Sequence, residues 1–262
     1  MATTVTWLGH ATVVLDLDDT RILTDPLLGR HAGPLRRRGP GPTRGSWEGA
    51  DAMLLSHLHH DHAELRSLRM LPAGVPVITS AQNAHWLRRR DLTGVTPTES
   101  GWLRVGRRPG VRIALCRAVH NARPMPHRPN EANGFLLRSA SATIWFAGDT
   151  ELYDGLERLP EQAGAPIDLA LVGISGWAPR LSSGHTGPVQ AAQACARVGA
   201  RWVVPVHWGT FHTPGGRSYP RGWMDRPAET FTRALAEVAP GCEPLLLAPG
   251  GHATLRPATD TL

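Results

Sequence analysis

The sequence predicts an α/β protein, a four-layer αββα sandwich with two mixed sheets face to face and helices on the outer faces. Three features predict it. The N-terminal third alternates strand and turn. The remainder alternates short β-branched runs with helix signals, and four of its runs stop at a histidine or an aspartate.

Taken in order, Thr3 to Trp7, Ala11 to Leu17 and Arg21 to Thr24 read as meander strands, the last following the Asp18-Asp19 turn. Ala52 to Ser56 is an apolar run that meets His57. Ser80 is placed to cap a helix over Ala81 to Arg90. Val111 to Val119 reaches His120, and Ala142 to Ala147 leads through Gly148 to Asp149. Thr150 is placed to cap a helix over Glu151 to Leu159. Pro188 suits the first turn of Val189 to Val198, which Gly199 ends. Arg201 to Val206 runs into His207, and Pro227 opens a helix over Ala228 to Val238 that Pro240 and Gly241 close. Buried strands read as short apolar runs, and their ends sit in loops that form sites. Four strands delivering His57, His120, Asp149 and His207 to one end therefore suggest a shared site.

The chain has 262 residues, no solenoid-type repeat and no linker long enough to divide it, so 1–262 reads as one domain. Hydrophobic residues at 41% and charged residues at 19% exclude a disordered or fibrous chain. No apolar run approaches the roughly 20 residues of a membrane span. Met1 to Trp7 has no secretory pattern, and three scattered cysteines make no disulfide framework, so the cytosol is the expected location. The net charge is +6, but all 28 basic residues are arginine and most are dispersed. The runs Arg36 to Arg38 and Arg88 to Arg90 suit solvated faces, and nucleic acid is not expected as a partner. Oligomeric state is not legible.

Four of thirteen histidines fall in His57-Leu58-His59-His60-Asp61-His62. Imidazole and carboxylate suit a borderline divalent ion such as zinc. His57 and His59, two apart, can reach one ion, while Asp61 and His62 can turn to a second; His60 is expected to point away.

With these residues in place, the sequence resembles the metallo-β-lactamase superfamily, from Trp7-Leu8-Gly9-His10-Ala11-Thr12 to Pro249-Gly250-Gly251. The resemblance implies a dinuclear site: His57, His59 and His120 on one ion, Asp61, His62 and His207 on the other, and Asp149 of Gly148-Asp149-Thr150 bridging both. Zinc is the expected metal, with manganese or iron compatible with the same donors. A true β-lactamase usually lacks that bridging aspartate, so antibiotic hydrolysis is not expected. Gly9-His10-Ala11-Thr12-Val13, Leu23-Thr24-Asp25-Pro26 and Val206-His207-Trp208-Gly209-Thr210-Phe211 are similar to the branch containing N-acyl-phosphatidylethanolamine-hydrolysing phospholipase D. The sugar-phosphate lactonases share the core motifs. Gly173 and Thr186-Gly187 depart from the branch, which usually has a proline at the first place and an acidic residue at the second.

The expected function is a hydrolase in which a metal-bridging hydroxide attacks a phosphodiester, with a lactone or ester as the alternative. An RNA-processing nuclease and a non-catalytic metal-binding protein are weaker readings. The expected substrate is a small or lipid-like phosphorylated molecule. Asp61 is expected to ligate and to orient the nucleophile. His185 is a candidate to position substrate or protonate the leaving oxygen, with a surface loop histidine as the alternative. Asp25 reads as a partner for a ligating imidazole or as turn chemistry. His10 either approaches the site or is a packed turn residue. Trp177 and Trp208, with Trp47 and Trp223, are candidates for apolar walls or loop anchors. Arg180 or Arg36 to Arg38 could select a phosphate.

Overall fold

The computed structural model describes residues 3–98, 101–107, 109–120, 128–129 and 131–256. The chain opens as a meander of β1 (Thr3–Gly9), β2 (Thr12–Leu17) and β3 (Thr20–Thr24). Two short strands follow, β4 (His31–Ala32) and β5 (Leu35–Arg37), and then β6 (Ala52–Leu54). Next come α1 (Leu65–Leu68), β7 (Val77–Ile78), α2 (Ala81–Arg88), β8 (Gly94–Val95) and β9 (Leu103–Val105). The second half contains β10 (Val111–Arg117), β11 (Asn133–Arg138), β12 (Thr143–Phe146), α3 (Leu159–Ala163) and β13 (Leu169–Gly173). It continues with α4 (Pro188–Val198), β14 (Trp202–Val206), β15 (Phe211–His212), α5 (Arg226–Val238), β16 (Glu243–Pro244) and β17 (His252–Leu255).

Two seven-stranded sheets result, ordered β17-β1-β2-β3-β6-β7-β8 and β16-β14-β13-β12-β11-β10-β9. Each mixes antiparallel and parallel pairs, as where β11–β12 is antiparallel and β12–β13 parallel. Side chains alternate across a strand, so each sheet has two faces to cover. Val5, Val13, Ile22 and Leu54 of the first sheet pack against Ile113, Phe135, Ile144 and Leu171 of the second. Val14, Leu23 and Met53, on the opposite face, pack against Leu68 of α1 and Trp86 and Leu87 of α2. Leu136, Trp145, Ala170 and Val203 do the same against Ala191, Cys195 and Phe231 of α4 and α5. The order helix, sheet, sheet, helix is the four-layer sandwich that the sequence predicts.

One predicted helix is displaced. Glu151 to Gly155 are not helical, a 3-10 turn spans Leu156 to Arg158, and α3 begins only at Leu159. Pro160, the residue after the predicted helix, occupies the first turn of α3, where a missing N–H costs nothing. Thr150 caps no helix; its hydroxyl accepts from Val119 N–H and donates to Glu151 C=O. A further sheet, β15-β5-β4, was not expected; it lays the Arg36–Arg37 strand against Phe211–His212.

Candidate metal centre

The residues that end the strands converge at one edge of the sandwich. The loop after β6 carries His57, His59, Asp61 and His62; β10 leads to His120, β12 to Asp149 and β14 to His207. Backbone geometry turns several of these inward. His207 (φ 62°), His10 (φ 54°) and Asp25 (φ 31°) are left-handed without being glycine, a conformation that concentrates at functional sites. Gly148 also has positive φ, and a Cβ there would lie 2.8 Å from Ser56 Cβ, so only glycine lets Asp149 approach this closely.

The donor atoms fall into two sets. His57 Nε2 is 3.0 Å from His59 Nδ1, which is 3.1 Å from His120 Nε2. On the other side, His62 Nε2 is 3.1 Å from His207 Nε2, and Asp61 Oδ2 lies 3.4 Å from that same His207 atom. Asp149 Oδ2 stands between the sets, 3.7 Å from His57 Nε2, 3.1 Å from His62 Nε2 and 3.4 Å from His207 Nε2. It is buried, and among the described residues none of its neighbours meets it with hydrogen-bond geometry. Imidazole nitrogens packed at 3 Å around such an oxygen are what a shared cation satisfies, so the donor set fits divalent metal.

On four of the five rings the second nitrogen has a partner. His62 Nδ1 donates to Asp25 Oδ2 at 2.7 Å. The Ser56 hydroxyl donates to the same oxygen and accepts from His57 Nδ1 at 2.9 Å. His120 Nδ1 donates to Gly184 C=O at 2.7 Å, and His207 Nδ1 to Ser175 C=O at 2.9 Å. Such bonds hold each ring with its inner nitrogen as a lone pair.

Electrostatics follow from burial and proximity. Burial lowers the pKa of His57 well below its ordinary value and that of His59 to about 4. Burial would lower His62 too, but the Asp149 and Asp61 carboxylates outweigh it and raise it. Both aspartates stay well below the usual carboxylate range, because burial, which opposes ionisation, loses to the surrounding imidazoles. Burial likewise opposes the charge on His185, yet Asp149, with Oδ2 3.1 Å from His185 Nε2, raises its pKa to about 9.

The other candidates are placed as follows. Asp25 and His185 lie at the centre. His10 is fully buried, its Nε2 3.1 Å from Asp61 Oδ2 and its C=O accepting from His207 N–H. His60 lies outside both sets, beside Gly33. Trp177 and Arg180 are exposed on the loop after β13. Trp208 turns away and stacks on Trp7, with ring centroids 5.4 Å apart, in the wall of a 750 Å³ cavity that contains none of the donors. Trp47 is a core residue against the first sheet. Arg37 is buried and donates to the carbonyls of Gly29, Leu8 and Leu27. Arg38 pairs with Asp225.

Sequence reasoning missed Ser56, Ser175, Gly184 and Glu151. Their part runs through backbone groups or a neighbour's ring, and residue type gives no sign of that. A 300 Å³ cleft lined by Pro179, Leu181, Pro188, Trp223 and Arg226 adjoins the centre through Ser175, which also lines the small pocket at Asp149 and His185. No helix among the described residues is long and apolar enough to cross a membrane.

Comparison with known proteins gives a consistent picture. A family model described as a beta-lactamase superfamily domain matches residues 20–208. N-acyl-phosphatidylethanolamine-hydrolyzing phospholipase D 1 of Caenorhabditis elegans is 28% identical across 79% of this chain, which spans 64% of that protein. A UPF0173 metal-dependent hydrolase of Nitratidesulfovibrio vulgaris is 28% identical across 97% of this chain and 96% of its own length. Among solved structures, the metallo hydrolase Igni18 of Ignicoccus hospitalis shares the fold with a TM-score of 0.72 at 19% identity, covering 98% of this chain and 99% of that one.

Proposed function

The chain belongs to the beta-lactamase superfamily, and from that premise we propose that it is a metal-dependent hydrolase with two divalent ions, acting on a phosphodiester. His57 Nε2, His59 Nδ1 and His120 Nε2 would hold one ion. Asp61 Oδ2, His62 Nε2 and His207 Nε2 would hold the other. The observation that carries the reading is Asp149 Oδ2, buried between the two triads without a hydrogen-bond partner among the described residues. Zinc fits a set of imidazole and carboxylate donors without thiolate.

When bound, such ions would lower the pKa of a water and polarise the phosphoryl oxygen. The chain supplies the rest. Asp61 is oriented by His10, whose Nε2 contacts its Oδ2, and its carboxylate is available to accept a proton from the attacking water. His185 has its Nδ1 taken by Ser182, which leaves Nε2 toward the centre to hold a proton for the leaving oxygen. The 300 Å³ cleft beyond Ser175 would take the apolar part of the substrate, with Arg226 at its wall for an anionic group.

The worm phospholipase relative supports a lipid-like phosphodiester. The size of the cleft favours the second reading, a lactone or ester of a small phosphorylated metabolite, because 300 Å³ is at the low end for a ligand pocket. Three free, buried cysteines support a reducing compartment, the cytosol.

The test is metal analysis of the purified protein, paired with hydrolysis of bis(p-nitrophenyl) phosphate before and after chelation. We expect about two ions per chain, and turnover that chelation, Asp61→Ala and Asp149→Ala each reduce by about 100-fold or more. Two ions with turnover only on a lactone or ester substrate would move the assignment to the second reading. A folded protein that takes up no metal would sink the dinuclear site.

A further inference from the structure

His185 rides on residues 182–186, an irregular stretch between β13 and α4. Ser182 and Ser183 are exposed and Gly184 has φ +87°; within the loop His185 Nδ1 meets the Ser182 hydroxyl and carbonyl, and Thr186 Oγ1 donates to Gly173 C=O at 2.6 Å. A second hold on the loop comes from outside it. Glu151, two residues beyond Asp149 in the segment that fails to form a helix, turns its carboxylate onto this loop. Its Oε1 accepts the Gly184 N–H at 2.6 Å and the Ser183 hydroxyl at 3.0 Å. An N–H···O contact that short is a charge-assisted bond, about twice as strong as a neutral one.

Gly184 is gripped on its other side as well. Its carbonyl accepts from His120 Nδ1. Glu151 is itself tied back to the strand end that carries His120, because its N–H donates to Val119 C=O at 2.8 Å, and Thr150 Oγ1 bridges Val119 N–H and Glu151 C=O. The bonds close a ring through Val119, His120, Gly184 and Glu151. Among the described residues Glu151 belongs to neither donor set, and its bonded oxygen is committed to the loop.

We propose that Glu151 is a positioning residue that clamps Gly184, so that one carboxylate sets both the place of His185 over the centre and the ring orientation of His120. The first effect is direct. The second runs through the Gly184 carbonyl, whose bond from Nδ1 keeps His120 Nε2 facing His57 and His59. His62 and His207 are oriented by Asp25 and Ser175 instead, so the clamp acts on one side of the dinuclear site only. This one-sidedness separates it from a general effect on stability. The metal arm of the proposal rests on the dinuclear reading; the loop arm does not.

The experiment compares Glu151→Ala, Glu151→Gln and Ser183→Ala with the parent protein. Amide hydrogen exchange at Gly184 is followed on metal-free protein, and zinc is titrated against a competing chelator to resolve two affinities. In Glu151→Ala, Gly184 exchange should accelerate about tenfold or more, and the tightness of one zinc should fall about 10- to 100-fold, the size expected for losing an outer partner of a ligand. The other zinc should change less than about threefold. Glu151→Gln retains an acceptor oxygen and should recover most of both effects, and Ser183→Ala should change little. Unaltered Gly184 exchange in Glu151→Ala would overturn the clamp. Equal weakening of both zincs would overturn its one-sided action. If the parent protein takes up no zinc, the dinuclear reading fails, and the exchange measurement alone decides whether Glu151 holds the loop.

Discussion

Asp25 shows how far one side chain can reach across the candidate centre. It is fully buried, and its two oxygens take Ser56 N–H, the Ser56 hydroxyl and His62 Nδ1–H, so it braces two of the candidate ligands at once. Asp25→Ala should therefore weaken zinc binding about 10- to 100-fold, checked by titration against a chelator. It was legible only as an alternative to turn chemistry, because Asp-Pro is also a common turn pair. The histidine string was the easier reading: imidazoles two apart at a strand end have few other uses. Arg37 went the other way. An arginine run looks like an anion site, but this guanidinium is used up on three backbone carbonyls, and burial lowers its pKa to about 10.

At the scale of elements, the connection after β12 is the tightest point. Gly148 must be left-handed, and an added methyl would meet Ser56 Cβ at 2.8 Å and Asn133 C=O at 3.0 Å. Gly148→Ala should cost about 2 kcal/mol or more, from backbone strain plus displacement of Ser56; the shift in the denaturation midpoint measures it. The strands that end in a donor were legible because a polar stop follows a β-branched run. β13 (Leu169–Gly173) was not singled out, although all five of its residues are buried, because it ends without a ligand. β7 and β8, two residues each, are too short to carry a pattern. The helix expected over Glu151 to Leu159 was placed by Thr150 as a cap, whereas the observed helix starts at Leu159 with Pro160 in its first turn.

For the whole molecule, the αββα order was predictable from strand and helix alternation, but which helices cover which sheet depends on long-range pairing that local pattern does not encode. The donors are divided between the two sheets: four follow β6 of the first, and His120, Asp149 and His207 follow strands of the second. Ions bound there would stabilise the docked sheets. At a free metal concentration 100-fold above the dissociation constant, one site adds about 2.7 kcal/mol. In a chain of this size that corresponds to a Tm about 5–10 °C higher with metal than after chelation, read by a calorimetric scan of each form.

The division of donors also orders events in time. As the chain leaves the ribosome, His57 to His62 emerge early, whereas His207 is made 145 residues after His62. The set that includes His207 cannot be complete until β14 has been laid beside β13 and the two sheets have closed. A nascent chain would therefore hold a partial set of donors with weaker purchase on any metal, and occupancy of both sets would report that the chain through β14 has been made and the sheets docked.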